Sequence, residues 1–172
     1  MEKEWKAYEI GELDQYLFGQ GNHHEIYKKL GAHMVDDEGQ KGVYFAVWAP
    51  NAKSVSVVGE FNDWDRTRNP MTRAEYIGIY TCFVPGVKEG MMYKFCIETI
   101  TGEYHMKADP YANYAELRPG TASRITNIEN LKWTDSSWMT AREKWDHKKE
   151  PMSVYEVHMG SWKRHPGTED EG

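Results

Sequence analysis

The chain has 172 residues, 40% hydrophobic and 13% aromatic, enough for one sizeable packed domain with a remainder, and global disorder is excluded. Its formal net charge of -6 comes without the clustered Lys and Arg of a nucleic-acid or anionic-membrane surface, so neither partner is expected. No apolar run approaches a membrane span, the start Met1-Glu2-Lys3-Glu4 is polar, and Cys82 and Cys96 fall in strand-like runs, so a soluble cytoplasmic protein with free thiols is expected.

The first forty residues read as a helical preface. Ile10, Leu13 and Leu17 recur at helical spacing until Gly19-Gln20-Gly21 breaks the pattern. Asn22 opens a second short helix with Glu25 three residues on, as in a capping box. Ile26, Tyr27 and Leu30 form its buried side, and Gly31 closes it at the C-cap. The neighbouring His23 and His24 diverge around a helix and have no further Cys or His at ligand spacing. No metal or cofactor is expected.

From Lys41 the period changes to two, with Val43, Phe45 and Val47 alternating with Tyr44, Ala46 and Trp48 before the turn Ala49-Pro50-Asn51-Ala52. The next strand, 54–58, runs into Gly59-Glu60-Phe61-Asn62-Asp63-Trp64, where an Asn-Asp turn presents a tryptophan beside polar side chains. A pyranose ring has one apolar face of axial C–H groups, and an exposed indole suits it by stacking; the competing reading packs Trp64 in a core. Further strands are expected at 79–84, 92–100, 104–106 and 124–126, separated by Gly and Pro turns, which together describe a β-sandwich.

Within the strand at 92–100, Tyr93, Phe95 and Ile97 share the core face. Lys94, Cys96 and Glu98 share the opposite one. Lys94 is thereby placed on an outer sheet surface, where its ammonium is available to sugar hydroxyls or simply to solvent.

The stretch 134–149 is polar but sets Trp138, Ala141 and Trp145 on one helical face, as a connector lying against something would. Met152 to Trp162 then reads as a strong strand after the sandwich has closed. A lone strand belongs to a sheet, so the chain reads as the front piece of a longer protein. The expected organisation is a short helical segment at 1–33, the sandwich at 34–130, a connector at 131–151 and the start of a further domain at 152–172. An unpaired strand at 152–159 is expected to be poorly ordered or to pair with a second copy.

The stretches YKKLGAH (27–33), YFAVWAPNA (44–52), VVGEFNDW (57–64), YKF (93–95), ADPY (108–111) and VYEVHMGSW (154–162) together resemble the N-terminal part of bacterial 1,4-α-glucan (glycogen) branching enzymes, in the family's order. The resemblance implies an all-β, immunoglobulin-like sandwich of carbohydrate-binding module family 48, followed by a (β/α)8 barrel of glycoside hydrolase family 13. On that reading VYEVHMGSW is the first barrel strand. The family's retaining chemistry passes a glucan chain through a covalent intermediate to a 6-hydroxyl. Its catalytic carboxylates lie downstream of Gly172, so no catalytic residue is assigned here and the chain alone is expected to be inactive.

Related glycogen-binding modules, including those of AMP-activated kinase β subunits, stack sugar on two aromatics and hydrogen-bond it through a lysine and an asparagine. By motif, Trp64 matches the first aromatic, Lys94 the lysine and Tyr104 roughly the second aromatic, where those modules carry tryptophan. Near Gly120-Thr121, where they place the asparagine, this chain reads Ala122-Ser123-Arg124. The implied partners are α-glucan chains and a catalytic barrel in the same polypeptide. A debranching or trehalose-releasing relative, a stand-alone glycan-binding module, and a sandwich that only supports the barrel are the alternatives.

Overall fold

The structure, a computed structural model, describes residues 8–37, 39–74, 77–128, 132–146 and 148–162. Parts of the expected segments, 1–7, 129–131 and 163–172, lie outside the described residues. The chain divides into two units, Met1–Asn130 and Leu131–Gly172.

In the first unit the period-two runs become two antiparallel sheets. β1 (Gly31–Asp37), β2 (Gln40–Trp48), β5 (Ile79–Pro85) and β4 (Thr72–Arg73) form the first, in the order β1-β2-β5-β4. β3 (Ala52–Gly59), β6 (Met92–Thr99) and β7 (Tyr104–Lys107) form the second, with β8 (Ser123–Arg124) also pairing β6. Val43, Phe45 and Val47 of the first sheet face Val55, Val57, Tyr93 and Phe95 of the second across one buried core, which also takes in Ile125. Edge-to-face rings lock it, with the Phe45 and Tyr93 centroids 5.1 Å apart and Tyr93 and Phe95 5.9 Å apart. The first unit is an immunoglobulin-like β-sandwich.

β2 is buried on both faces, not one. Tyr44 and Ala46 point away from the sandwich core into a second cluster with Val35 and Ile79, closed over by Ile26 and Leu30 and flanked by Tyr8, Ile10 and Phe18. The N-terminal segment is thus the cover of the first sheet's outer face. Its helix α1 (Glu12–Gly19) begins where the Asp14 carboxylate accepts the Gly11 amide at 2.9 Å. Asp14 also meets His23 Nε2 at 2.8 Å and Lys29 Nζ at 2.5 Å, which pins α1 to the following turn.

Two elements of this region differ from expectation. The second helix is a single 3₁₀ turn, Ile26–Lys28, and Gly31 opens β1 instead of closing a helix. Gly31 does take a positive φ, 106°, and a Cβ there would crowd Tyr111. β1 itself, GAHMVDD, carries Gly, Ala and Asp, which are weak strand formers, so its local signal is faint. It exists because every residue from Gly31 to Asp37 pairs with β2.

In the second unit α2 spans Ser136–Lys144, and Trp145 already has extended backbone, so the helix stops short of the expected 134–149. Trp138, Ala141 and Trp145 nevertheless line one hollow, together with Arg142, Lys144 and Glu150. The strand expected over 152–159 does not form. Residues 152–158 carry no ladder, and Met159–Trp162 is a short helix, α3. A strand is held by hydrogen bonds to a neighbour, and no described residue pairs with this one. No described helix is long and apolar enough to cross a membrane.

Candidate functional site

The first sheet's outer face is occupied, and the corresponding face of the second sheet carries the candidate residues. β3 ends at Gly59, which lies opposite Tyr93 on β6. A Cβ at Gly59 would strike the Met92 carbonyl oxygen and the Phe61 ring, so close approach, not backbone conformation, requires glycine. The chain then turns through Glu60–Asn62. Asn62 is 2% exposed, and its side chain accepts the Gly59 amide at 2.9 Å while donating to the Val57 carbonyl at 3.0 Å and to Asn69 Oδ1 at 2.7 Å. Every hydrogen bond of this buried amide ties the turn to β3 or to the returning loop.

The Asp65 amide closes the turn on the Asn62 carbonyl at 3.1 Å. Asp63 and Trp64 between them sit at φ 56° and 59°, the paired left-handed conformation of a type I′ turn without a glycine. Each costs about 1 kcal/mol or more against ordinary backbone. That strain is sustained by Asn62, and its outcome is that Trp64 stands out of both cores with 38% of its surface exposed. Trp64 is displayed.

The alternation on β6 holds. Tyr93 and Phe95 are fully buried, while Lys94, Cys96 and Glu98 share the outer face with Ser54, Ser56 and Val58 of β3 and with Tyr104 and Met106 of β7. Lys94 Nζ donates to Thr121 Oγ1 at 2.6 Å. Cys96 lies on this face yet is 2% exposed, and burial pushes its thiol up despite Arg66 and Ser56. Cys82, half-buried, packs against the sandwich core, and burial pushes its thiol up to about 12. The two thiols are free.

Tyr104, 48% exposed, heads β7 opposite Glu98. Glu98 accepts Lys53 Nζ and Ser54 Oγ, each at 2.7 Å. Those hydrogen bonds, Lys53 first, hold the Glu98 carboxyl below its usual range, with Tyr104 adding to them. The Arg66 guanidinium lies over the Tyr104 ring, 4.3 Å from its centroid. Arg66 comes from the loop that carries Trp64 and returns along β3, where Pro70 bridges Ser56.

The fold therefore sets Trp64 and Lys94 near one end of the second sheet, since Trp64 N–H bonds the Gly59 carbonyl and Gly59 pairs beside Lys94. Tyr104 shares the face but stands level with Glu98, four residues further along β6, about 13 Å away. Asn62 and Arg66 are residues that sequence reasoning passed over, and Thr121 entered only as the neighbourhood in which related modules carry an asparagine. Asn62 was visible only as a turn former, Arg66 only as part of a polar loop. Thr121 reaches Lys94 from 27 positions away, and no local pattern signals that.

Asp109 serves the fold. Buried Asp109 accepts the Tyr93 hydroxyl at 2.6 Å and the Tyr111 amide at 2.8 Å, and burial holds its carboxyl above the usual range against those two bonds. Among the described residues no group of three or more His, Cys, Asp or Glu could hold a metal ion.

Residues 29–112 match the family described as Carbohydrate-binding module 48 (Isoamylase N-terminal domain). Over 162 residues, 94% of this chain, the sequence is 54% identical to a 1,4-alpha-glucan branching enzyme of Butyrivibrio fibrisolvens, and over 155 residues, 90% of this chain, 53% identical to that of Protochlamydia amoebophila. The chain spans 25% and 21% of those two relatives' own lengths. A solved structure of pullulanase type I from Bacillus subtilis in complex with maltose matches at 31% identity and a TM-score of 0.49, covering 61% of this chain and 14% of that one.

Proposed function

We propose, from the premise that this chain belongs to carbohydrate-binding module family 48 through residues 29–112, that it is the α-glucan-binding N-terminal region of a 1,4-α-glucan branching enzyme. The whole cytoplasmic enzyme forms α-1,6 branch points by transferring glucan chains. The catalytic barrel lies in the same polypeptide beyond the sandwich, and this chain alone is inactive.

The observation that carries the reading is the Trp64 turn. Holding two non-glycine residues left-handed to display an indole is strain placed at a site, and such strain is a signature of function. Trp64 stacks on the apolar face of one glucose unit. Lys94 donates to hydroxyls with the protons that Thr121 leaves free, and Tyr104 supplies the second aromatic further along the face. No net charge is needed for a neutral polymer, which suits a face where Lys53 and Glu98 neutralise each other.

Affinity electrophoresis in glycogen-containing gels tests it. Wild-type chain is expected to be retarded and Trp64→Ala to run freely. Unretarded wild type, indistinguishable from Trp64→Ala, would sink the reading.

A further inference from the structure

The Arg66–Tyr104 stack carries a consequence for how glucan is held. Arg66 is exposed, and its guanidinium carbon lies over the Tyr104 ring, 4.3 Å from the centroid. Tyr104 in turn is positioned by its pairing with Glu98, whose carboxylate is fixed by Lys53 and Ser54. An exposed arginine ordinarily samples many rotamers, at a cost of about 2 kcal/mol to anything that must order it. Here the ring has already restricted it.

The neighbouring cations have commitments. Arg68 donates to Asp63 at 3.1 Å, Lys53 to Glu98 at 2.7 Å, and Lys94 to Thr121 at 2.6 Å. Among the described residues Arg66 donates no hydrogen bond. A planar fork of five N–H donors is therefore held in place on the open sheet face with nothing to donate to, on the same loop as Trp64. Its chemistry calls for a neutral or anionic partner with two adjacent acceptors. The vicinal hydroxyls of a pyranose are such a pair, and a charged donor strengthens each bond to them.

We propose that Arg66 is a glucan-contacting residue, its guanidinium laid on the Tyr104 ring and donating a paired hydrogen bond to vicinal hydroxyls of a glucose unit lying between those held by Trp64 and Tyr104. Tyr104 then acts partly through Arg66, as the plate that orients it. This rests on the glucan-binding reading above and adds a residue and a contact to it.

Isothermal titration of the 172-residue chain with maltoheptaose separates the two. Arg66→Ala is expected to weaken binding about tenfold. Arg66→Lys, which keeps the charge but loses the fork, is expected to weaken it nearly as much. Both variants keep the wild-type thermal midpoint, because Arg66 is exposed and holds no other described group. Tyr104→Ala is expected to cost less in the Arg66→Ala background than in wild type, since part of the ring's contribution runs through the arginine. Wild-type affinity in Arg66→Ala, with binding lost in Trp64→Ala, overturns the inference and leaves the glucan site standing. Full affinity in Arg66→Lys overturns the fork. A wild-type chain that does not bind maltoheptaose overturns both the inference and the site.

Discussion

Asn62 does more for the candidate site than any residue that would touch a ligand. It is an amide with no exposed surface to speak of, and it satisfies an amide of Gly59, a carbonyl of Val57 and the Asn69 side chain at once. Removing it leaves buried backbone groups unpaired, at about 1–3 kcal/mol for each. The same bonds hold Asp63 and Trp64 in left-handed backbone. Asn62→Ala is therefore expected to lower stability by about 2–4 kcal/mol in urea titration and, in folded protein at low temperature, to weaken glycogen retardation as well. Asn62→Ala with wild-type stability would mean that the turn is held by something else. The motif around Trp64 was legible in the sequence, down to the Asn-Asp turn. That the turn is left-handed, and that Asn62 is the side chain pinning it, depends on Val57 and Asn69, which only the folded strand and returning loop bring within reach.

Among the elements, α1 shows how a surface helix with no fully buried residue is kept in register. Phe18 packs against the second buried cluster, and an ionic anchor adds to it. Burial by itself would raise the Asp14 carboxyl, but hydrogen bonds from Lys29, His23 and the Gly11 amide outweigh that and leave it below the usual carboxylate range. A carboxyl whose folded pKa is depressed contributes stability above its unfolded value, near 3.9, and loses it as pH falls through the folded value. The Asp14 contribution is thus full at neutral pH and disappears in the acid limb. Asp14→Asn is expected to lower stability at pH 7 by about 1 kcal/mol, the upper end for a partly screened pair, and to flatten the pH dependence below about pH 4. Stability curves of wild type and variant that stay parallel down to pH 2 would remove Asp14 from the acid transition. The helical spacing of Ile10, Leu13 and Leu17 revealed α1, whereas β1 escaped notice because its residues lack strand propensity and its order comes from β2.

Across the molecule, the described strands of the sandwich all lie between Gly31 and Arg124. Among the described residues, both buried clusters draw on positions up to Ile125 and none beyond. Among the described residues from 132 onward none is buried, and Trp133, Trp138, Trp145, Val154, Tyr155 and Trp162 are all exposed. A chain cut to 1–130 is therefore expected to unfold at the same temperature as 1–172 in circular dichroism. Sedimentation should find 1–130 monomeric while 1–172 associates through the unpaired apolar stretch at 152–158. A clear loss of thermal stability on truncation would show that the second unit supports the first.

Some of this was written in the order of residues. Period-two runs predicted β2, β3, β5 and β6, and parity on β6 put Lys94 outside and Tyr93 and Phe95 inside, because alternation is a property of a single strand and needs no partner. The FNDW motif marked Trp64 for the same reason. What a chain cannot announce locally is which sheet face remains open, and that depended on the N-terminal segment folding over Tyr44 and Ala46. Nor could it announce the meetings of Lys94 with Thr121 and of Arg66 with Tyr104, because each joins residues far apart in sequence through the register of a sheet. The stretch at 152–159 makes the same point from the other side: a strong strand pattern yields a strand only where a neighbour supplies the hydrogen bonds.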